Sequence, residues 1–237
     1  MKTKVVALLL AGGHGCRMHH ERPKQFLEIN GRPVFLYTMQ TFEQHPEIDQ
    51  IFIVCEKEWE EYVKNQTVKA GFRKFSGTFP AGTTSMESIR NGILGIAETM
   101  KTETDPIIMT HDSVRPLISE QLITENLQTC RKHGNAITGI TSCEAYIISS
   151  DGKHSEGLIP REALYRAQTP QTFRLSELLN IFEQAKQKNI LNSQSLYTLA
   201  ATLERPLFIS QGDELNFKLT VPTDIEVFNA IVTYKNR

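Results

Sequence analysis

An aliphatic run from Val5 to Leu10 leads without interruption into Ala11-Gly12-Gly13-His14-Gly15-Cys16-Arg17. Short Val/Leu-rich runs suit strands buried on both faces, and such strands belong to parallel sheets covered by helices. Lys2 and Lys4 ahead of the run imitate a signal peptide. The run is short, however, and ends in glycines rather than a small-residue cleavage site, so a first buried strand is the expectation. The glycines then fall where ligands bind open α/β sheets, beyond the carboxyl end of a strand.

The rest of the chain repeats this alternation. Ile51–Cys55 and Ile107–Thr110 read as further strands. Helical spacing is found over Pro33–Phe42, which opens on a proline, and over Ser85–Met100, with Ile89, Ile93, Ile96 and Ala97 on one face. It is found again over Ser119–His133, ending at Gly134. Strands alternating with helices predict an α/β fold with a mainly parallel, doubly wound sheet. No repeat, low-complexity tract or linker divides the 237 residues, so one domain over 1–237 is expected. One segment breaks the pattern. Ala136–Ile140 and Ala145–Ser149 read as β, Ser150-Asp151-Gly152-Lys153 supplies a turn, and strand-like residues follow before Pro160. This predicts a β excursion at about 136–160, either an arm for dimer contact or a surface hairpin.

The formal net charge of -1 leaves no global basic field for nucleic acid or an anionic membrane, so phosphate binding has to come from a few placed groups. No apolar stretch approaches a membrane span. Cys16, Cys55, Cys130 and Cys143 form no C-x-x-C pair and no zinc spacing, which reads as free thiols in a reducing cytosol. In the glycine loop, backbone N–H groups can meet phosphate oxygens, and Arg17 and Lys24 (in Pro23-Lys24-Gln25-Phe26) bring two cations to the same mouth. The dinucleotide fingerprint is excluded, because Met18 stands where its last glycine belongs; no P-loop occurs. The competing reading is a glycine-rich turn with surface charges. His14, His19 and His20 read as solvated rather than metal-binding.

Three more stretches carry candidate chemistry. Ile107 through Thr110 would deliver Asp112, in His111-Asp112-Ser113-Val114-Arg115-Pro116, to the same end of the sheet, as a Mg²⁺ ligand beside phosphates or as a turn or N-cap residue. Pro160-Arg161-Glu162-Ala163-Leu164-Tyr165-Arg166-Ala167-Gln168-Thr169-Pro170-Gln171-Thr172-Phe173 has two arginines suited to a phosphorylated acceptor, or is an ordinary helix and loop. Asn216-Phe217-Lys218-Leu219-Thr220 reads as a strand before a helix at Pro222-Thr223-Asp224, with Lys218 a further cation if it ends at the cleft.

Taken in order, L-A-G-G-x-G-x-R-M, P-K-Q-F, H-D-S-V-R-P, R-x-x-L-Y-x-x-Q-T-P-Q-T-F and N-x-K-x-T resemble the sugar-alcohol-phosphate cytidylyltransferases, from Val5 to about Ile231. That family has a methylerythritol-phosphate branch and a ribitol-phosphate branch. Leu10-Ala11-Gly12-Gly13 and His111-Asp112-Ser113-Val114-Arg115-Pro116 resemble the second, as do Phe26 and Thr172. The resemblance implies a Rossmann-like, nucleotidyltransferase-type fold, a protruding β arm, a homodimer and a cytoplasmic enzyme. It also implies transfer of CMP from CTP to an alditol phosphate, ribitol 5-phosphate first, with Mg²⁺. Leu10, Ala11, Gly12, Gly13 and Gly15 would wrap CTP. Arg17 and Lys24 would stabilise the transition state. Gly82, Thr83 and Ser88 would line the base and ribose side, with Ser113 also at the nucleotide. Asp112 would hold the metal, and Arg161, Thr169 and Lys218 would position the acceptor.

The chain departs from the family pattern at Ser85, where an arginine is expected, at Glu144-Ala145, where D-T is usual, and at Leu191-Asn192, where T-D is expected. These departures bear on the acceptor and keep an impaired nucleotide-binding homologue as an alternative. A dinucleotide oxidoreductase stands behind both.

Overall fold

The computed structural model describes residues 3–13, 22–100, 105–190 and 193–235. Gly15, Arg17, Cys16, the three loop histidines and the Leu191-Asn192 pair therefore lie outside the described residues.

In chain order the strands are β1 Val5–Leu10, β2 Glu28–Ile29, β3 Arg32–Pro33, β4 Gln50–Cys55, β5 Phe75–Pro80, β6 Ile107–Asp112, β7 Asn135–Thr141, β8 Ile147–Ile148, β9 Gly157–Leu158, β10 Tyr165–Arg174 and β11 Ile209–Gln211. The helices are α1 Val34–Gln44, α2 Glu60–Lys69, α3 Ser85–Met100, α4 Glu120–His133, α5 Leu175–Gln187, α6 Leu196–Thr202 and α7 Pro222–Lys235.

The seven-stranded sheet runs β11-β7-β10-β6-β1-β4-β5. Only β10 is antiparallel to its neighbours, so the sheet is mainly parallel, as expected. Alternation along β1 explains why an unbroken apolar run was needed there. Val5, Ala7 and Leu9 pack on one face with Phe35, Met39 and Phe42 of α1 and Leu122, Ile123 and Leu127 of α4. Val6 and Leu8 pack on the other, against Ile89, Ile93 and Ile96 of α3 and Leu178 and Ile181 of α5. Both faces are buried, so no polar residue could alternate in. Gly92 lets α3 lie close on the sheet: a Cβ there would come within 2.6 Å of Leu8 and 2.7 Å of Val54.

The helix ends follow their signals. Ser119 caps α4 by accepting from Leu122 N, and Gly134, at φ 95°, ends it in the left-handed region. From β1 the chain progresses outward through β4 and β5 on one side, then returns to β6 on the other. The switch point thus falls at the carboxyl ends of β1 and β6, where Leu10 pairs with Asp112.

Three expectations need correction. The strand at 136–140 is not part of an excursion, since β7 is hydrogen-bonded between β10 and β11 inside the main sheet. The excursion begins after Thr141, and its regular part is the β8–β9 hairpin, a separate two-stranded sheet. Asn216–Thr220 is not a strand; it is an irregular segment tied to the end of β6 through Leu219 N–H donating to Val114 O. Pro160–Phe173 is not helix and loop but a single 3₁₀ turn, Arg161–Ala163, followed by β10.

Candidate active site

A cleft of about 600 Å³ opens at the switch point, within the roughly 300–1,000 Å³ usual for small-molecule sites. Leu10, Gly12, Gly13, Lys24, Gly82, Thr83, Ser88, Asp112, Ser113, Thr169 and Lys218 all line it. Two expected residues do not. Ala11 is buried beneath the loop, its N–H donating to Val54 O. Arg161 sits exposed at the base of the excursion and is not among the residues lining this chain's cleft.

The glycine wall is built from the end of β1. Ser113 Oγ and Ser113 N–H both donate to Leu10 O, which locks β1 to β6 at the mouth. Gly12 has to be glycine, because a Cβ would stand 2.7 Å from Ala81 Cβ. Among the described residues, neither Gly12 N–H nor Gly13 N–H has a hydrogen-bond partner, so both remain as donors at the cleft. Lys24 is on the 3₁₀ turn Lys24–Phe26 and is only 8% exposed, although its residue lines the cleft. The turn is held by Phe26, which is fully buried and stacks on Trp59 at 4.4 Å.

The adjoining wall is the approach to α3 and its first turn, formed by Ala81-Gly82-Thr83-Thr84-Ser85-Met86-Glu87-Ser88. Thr84 Oγ1 accepts from Glu87 N–H while the Glu87 carboxylate accepts from Thr84 N–H, a reciprocal cap. The same carboxylate accepts from the Thr83 hydroxyl and amide, which lowers its pKa. Ser88 Oγ accepts from Gly82 N–H. Ser85 points no long cation into this wall. It lines both the cleft and an adjoining open recess of about 450 Å³ shared with Thr84, Ser193 and Gln194.

The floor is Asp112. Its Oδ2 accepts from Arg115 Nε at 2.9 Å and its Oδ1 from Lys218 Nζ at 3.0 Å. Burial would raise this carboxyl, but the two cations outweigh it and hold the group well below the usual carboxylate range. Arg115 also donates to Asn216 O, and Asn216 Nδ2 donates to Thr169 O, which fixes the 216–220 segment that carries Lys218. The Thr169 hydroxyl oxygen accepts from Asp112 N–H at 3.1 Å and lies 2.9 Å from His111 Nδ1. His111 is fully buried, and burial lowers its pKa to about 3, so the ring is neutral. With Nε2 near Arg115 O, the consistent assignment has Nε2–H donating there and Nδ1 accepting from the Thr169 hydroxyl. The hydroxyl proton of Thr169 is then committed inside the protein.

Sequence reasoning quoted His111, Arg115, Gln25 and Asn216 inside motifs but gave them no role, and it passed over Gln194, Ser195 and Tyr197, which also line the cleft. The motifs themselves were the available signal for the first four. Nothing in the local pattern marks the last three. Among the described residues, no group of three or more His, Cys, Asp or Glu could hold a metal ion. Asp112 is a single carboxylate with both oxygens paired. It suits a divalent cation only where phosphate oxygens and water supply the other ligands.

A mainly parallel, doubly wound sheet, with glycine amides that have no partner among the described residues, a lysine and a carboxylate–cation cluster at its switch point, is an arrangement of the α/β nucleotidyltransferase type. The match to a family is direct: residues 5–234 fit the family described as IspD, 2-C-methyl-D-erythritol 4-phosphate cytidylyltransferase. The chain belongs to that family of CTP-using cytidylyltransferases. It is 32% identical over 98% of its length to a ribitol-5-phosphate cytidylyltransferase of Lacticaseibacillus paracasei, covering 99% of that protein. It is 33% identical over 95% to another from Streptococcus agalactiae, covering 94% of it. Among solved structures, it is similar to 4-diphosphocytidyl-2C-methyl-D-erythritol synthase from Anaerococcus prevotii, with TM-score 0.82 and 25% identity over 98% of this chain and 99% of that one.

Proposed function

We propose that the protein joins the CMP group of CTP to an alditol phosphate, with D-ribitol 5-phosphate as the acceptor. The cleft carries the chemical part of this reading: the Gly12 and Gly13 amides, Lys24 and the Asp112–Arg115–Lys218 cluster all converge on one space. A phosphate oxygen of the acceptor attacks the α-phosphorus. A new P–O bond forms, the bond to the bridging oxygen breaks, and pyrophosphate leaves with the electron pair. The nucleophile is already anionic, so no strong base is required. The barrier is the meeting of two anions, and the residues act on that charge. Gly12, Gly13, Gly82, Thr83 and Ser88 seat the nucleotide, Lys24 and Arg17 offset charge on the triphosphate, and Lys218 orients the acceptor. Asp112 is the group that would hold Mg²⁺ together with phosphate oxygens, where the ion supplies Lewis-acid charge neutralisation.

The ribitol reading is supported by the names of relatives at 32–33% identity over nearly the whole chain. The second reading, methylerythritol 4-phosphate, is favoured by the name of the family and of the similar structure. Pyrophosphate release from CTP with each acceptor in parallel separates them. Preference for ribitol 5-phosphate is expected; preference for methylerythritol 4-phosphate overturns the acceptor, and silence with both, despite CTP binding, favours the impaired homologue.

A homodimer and a cytoplasmic location belong to the same proposal. Tyr146, Ile147, Ile148 and Leu158 are exposed on or beside the hairpin, and Arg161 at its base would serve a partner's acceptor site. No helix among the described residues is long and apolar enough to cross a membrane. Sedimentation is expected to give twice the chain mass; a fully active monomer contradicts the dimer.

A further inference from the structure

We infer that Gln25 is a positioning residue that sets the glycine loop for nucleotide binding. This rests on the function proposed above and adds to it a residue that does not itself need to touch the substrate. Gln25 is 3% exposed. Its Nε2 lies 2.6 Å from Ala11 O and 2.9 Å from Gly13 O. The amide orientation follows from chemistry: with its ends exchanged, Oε1 would face two carbonyl oxygens at those distances. Both amide hydrogens are therefore donated to the loop, one on each side of Gly12.

The consequence for the loop is geometric. In a trans peptide the carbonyl and the following N–H point in opposite directions. With Ala11 O turned to Gln25, Gly12 N–H is turned away from it. Ala11 is fixed a second time through its N–H, which donates to Val54 O at the end of β4. The segment Ala11–Gly13 is thus pinned at both ends, and the Gly12 and Gly13 amides stay without a partner among the described residues. Left to itself, a glycine pair has many conformations to lose on binding.

Gln25 can act as a fixed post because its own base is rigid. Phe26 N–H donates to Pro23 O, and Phe26 is held by Trp59, by Tyr62 at 5.7 Å and by Phe35 at 5.8 Å between ring centroids. The Arg22 guanidinium, just before the turn, lies 4.7 Å from the Tyr62 ring centroid. Lys24 sits on the same turn, so the side chain that orients the Gly12 amide and the cation share one rigid base.

Gln25→Glu keeps the length and removes both donors; Gln25→Met keeps the length without a charge. Calorimetric titration with CTP and with inorganic pyrophosphate is the readout, alongside the acceptor KM at saturating CTP. In both variants the CTP and pyrophosphate Kd is expected to rise about tenfold or more, the scale of two lost neutral hydrogen bonds. The Glu variant is expected to be the weaker, because its carboxylate faces two carbonyls. The acceptor KM is expected to stay within about twofold, since Lys218 and Thr169 are held by Asp112, His111 and Asn216 rather than by Gln25. If Gln25→Glu does not fold, Gln25→Met alone decides. A folded variant that binds CTP like the wild type overturns the role. So does an acceptor KM that rises as far as the CTP Kd, which would mean general loosening. A wild type that ignores CTP overturns the functional reading, and this role with it.

Discussion

Removing Arg115 should cost far more stability than removing Lys218, although both cations touch the same carboxylate. The Arg115 side chain is 12% exposed and that of Asp112 14%, whereas Lys218 is 41% exposed. Breaking a buried ion pair by deleting one member costs about 3–5 kcal/mol, because the remaining charge is stranded. In Arg115→Ala, Lys218 still faces Asp112 Oδ1, so the expected loss is roughly 2–3 kcal/mol, to which the lost bond to Asn216 O contributes. At this chain length that corresponds to a fall in Tm of roughly 4–12 °C. Lys218→Ala removes the more solvated partner and leaves the Arg115 bond intact, so stability should fall by no more than about 1 kcal/mol. Its cost should appear instead in turnover, as a higher acceptor KM and a lower kcat. Urea unfolding gives the first quantity, and pyrophosphate release with the acceptor varied gives the second. The reasoning is refuted if Lys218→Ala destabilises more than Arg115→Ala, or if it leaves the acceptor kinetics unchanged.

Lys24→Ala should lower kcat/KM by at least ~10²-fold with a near-native unfolding curve, the size typical of a lost charge-stabilising donor; near-wild-type turnover removes it from the chemistry. Gly82→Ala places a Cβ 2.3 Å from Glu87 Cβ and 3.0 Å from the Glu87 and Ser88 backbone, so it should cost about 1–3 kcal/mol in urea unfolding. Gly13→Ala meets nothing within 4 Å among the described residues and should leave stability unchanged while weakening CTP binding; equal stability of the two variants contradicts the close packing at residue 82. Burial lowers the pKa of both His111 and His45, so the unfolded chain takes up these protons first. That stability is full above the ordinary value of 6.5 and is lost as pH falls through it toward about 3 for His111. From pH 7.5 to 5.5, His111 should contribute a loss on the order of 1 kcal/mol, and that contribution should disappear in His111→Asn; an unchanged pH slope in that variant contradicts a buried neutral ring.

Much of this architecture was legible because its signals are local. The aliphatic run of β1 could not have been a surface strand, and Ser119 and Gly134 mark the two ends of α4 through their own side-chain and backbone chemistry. The ordered motifs placed Lys24, Asp112, Thr169 and Lys218, and these four do line one cleft. What sequence could not supply depends on partners far along the chain. Residues 136–140 read as β whether they pair in an excursion or in the main sheet, and the choice is made by β10 and β11, tens of residues away. The irregular course of 216–220 is set by hydrogen bonds to Val114 and Arg115 rather than by its own pattern. Gln25 and His111 stand inside motifs that mark them, but they act through contacts 12–14 and 58 residues away, so the motif alone does not say what each one does.

The central claim is attack on the α-phosphorus in this cleft, and ³¹P NMR of CTP, Mg²⁺ and ribitol 5-phosphate with the protein tests it most directly. The account predicts pyrophosphate and a CDP-alditol diphosphodiester growing in equal amounts as the α, β and γ resonances of CTP decline together. Release of CDP or of inorganic phosphate with a newly phosphorylated acceptor would place the attack at another phosphorus and contradict it.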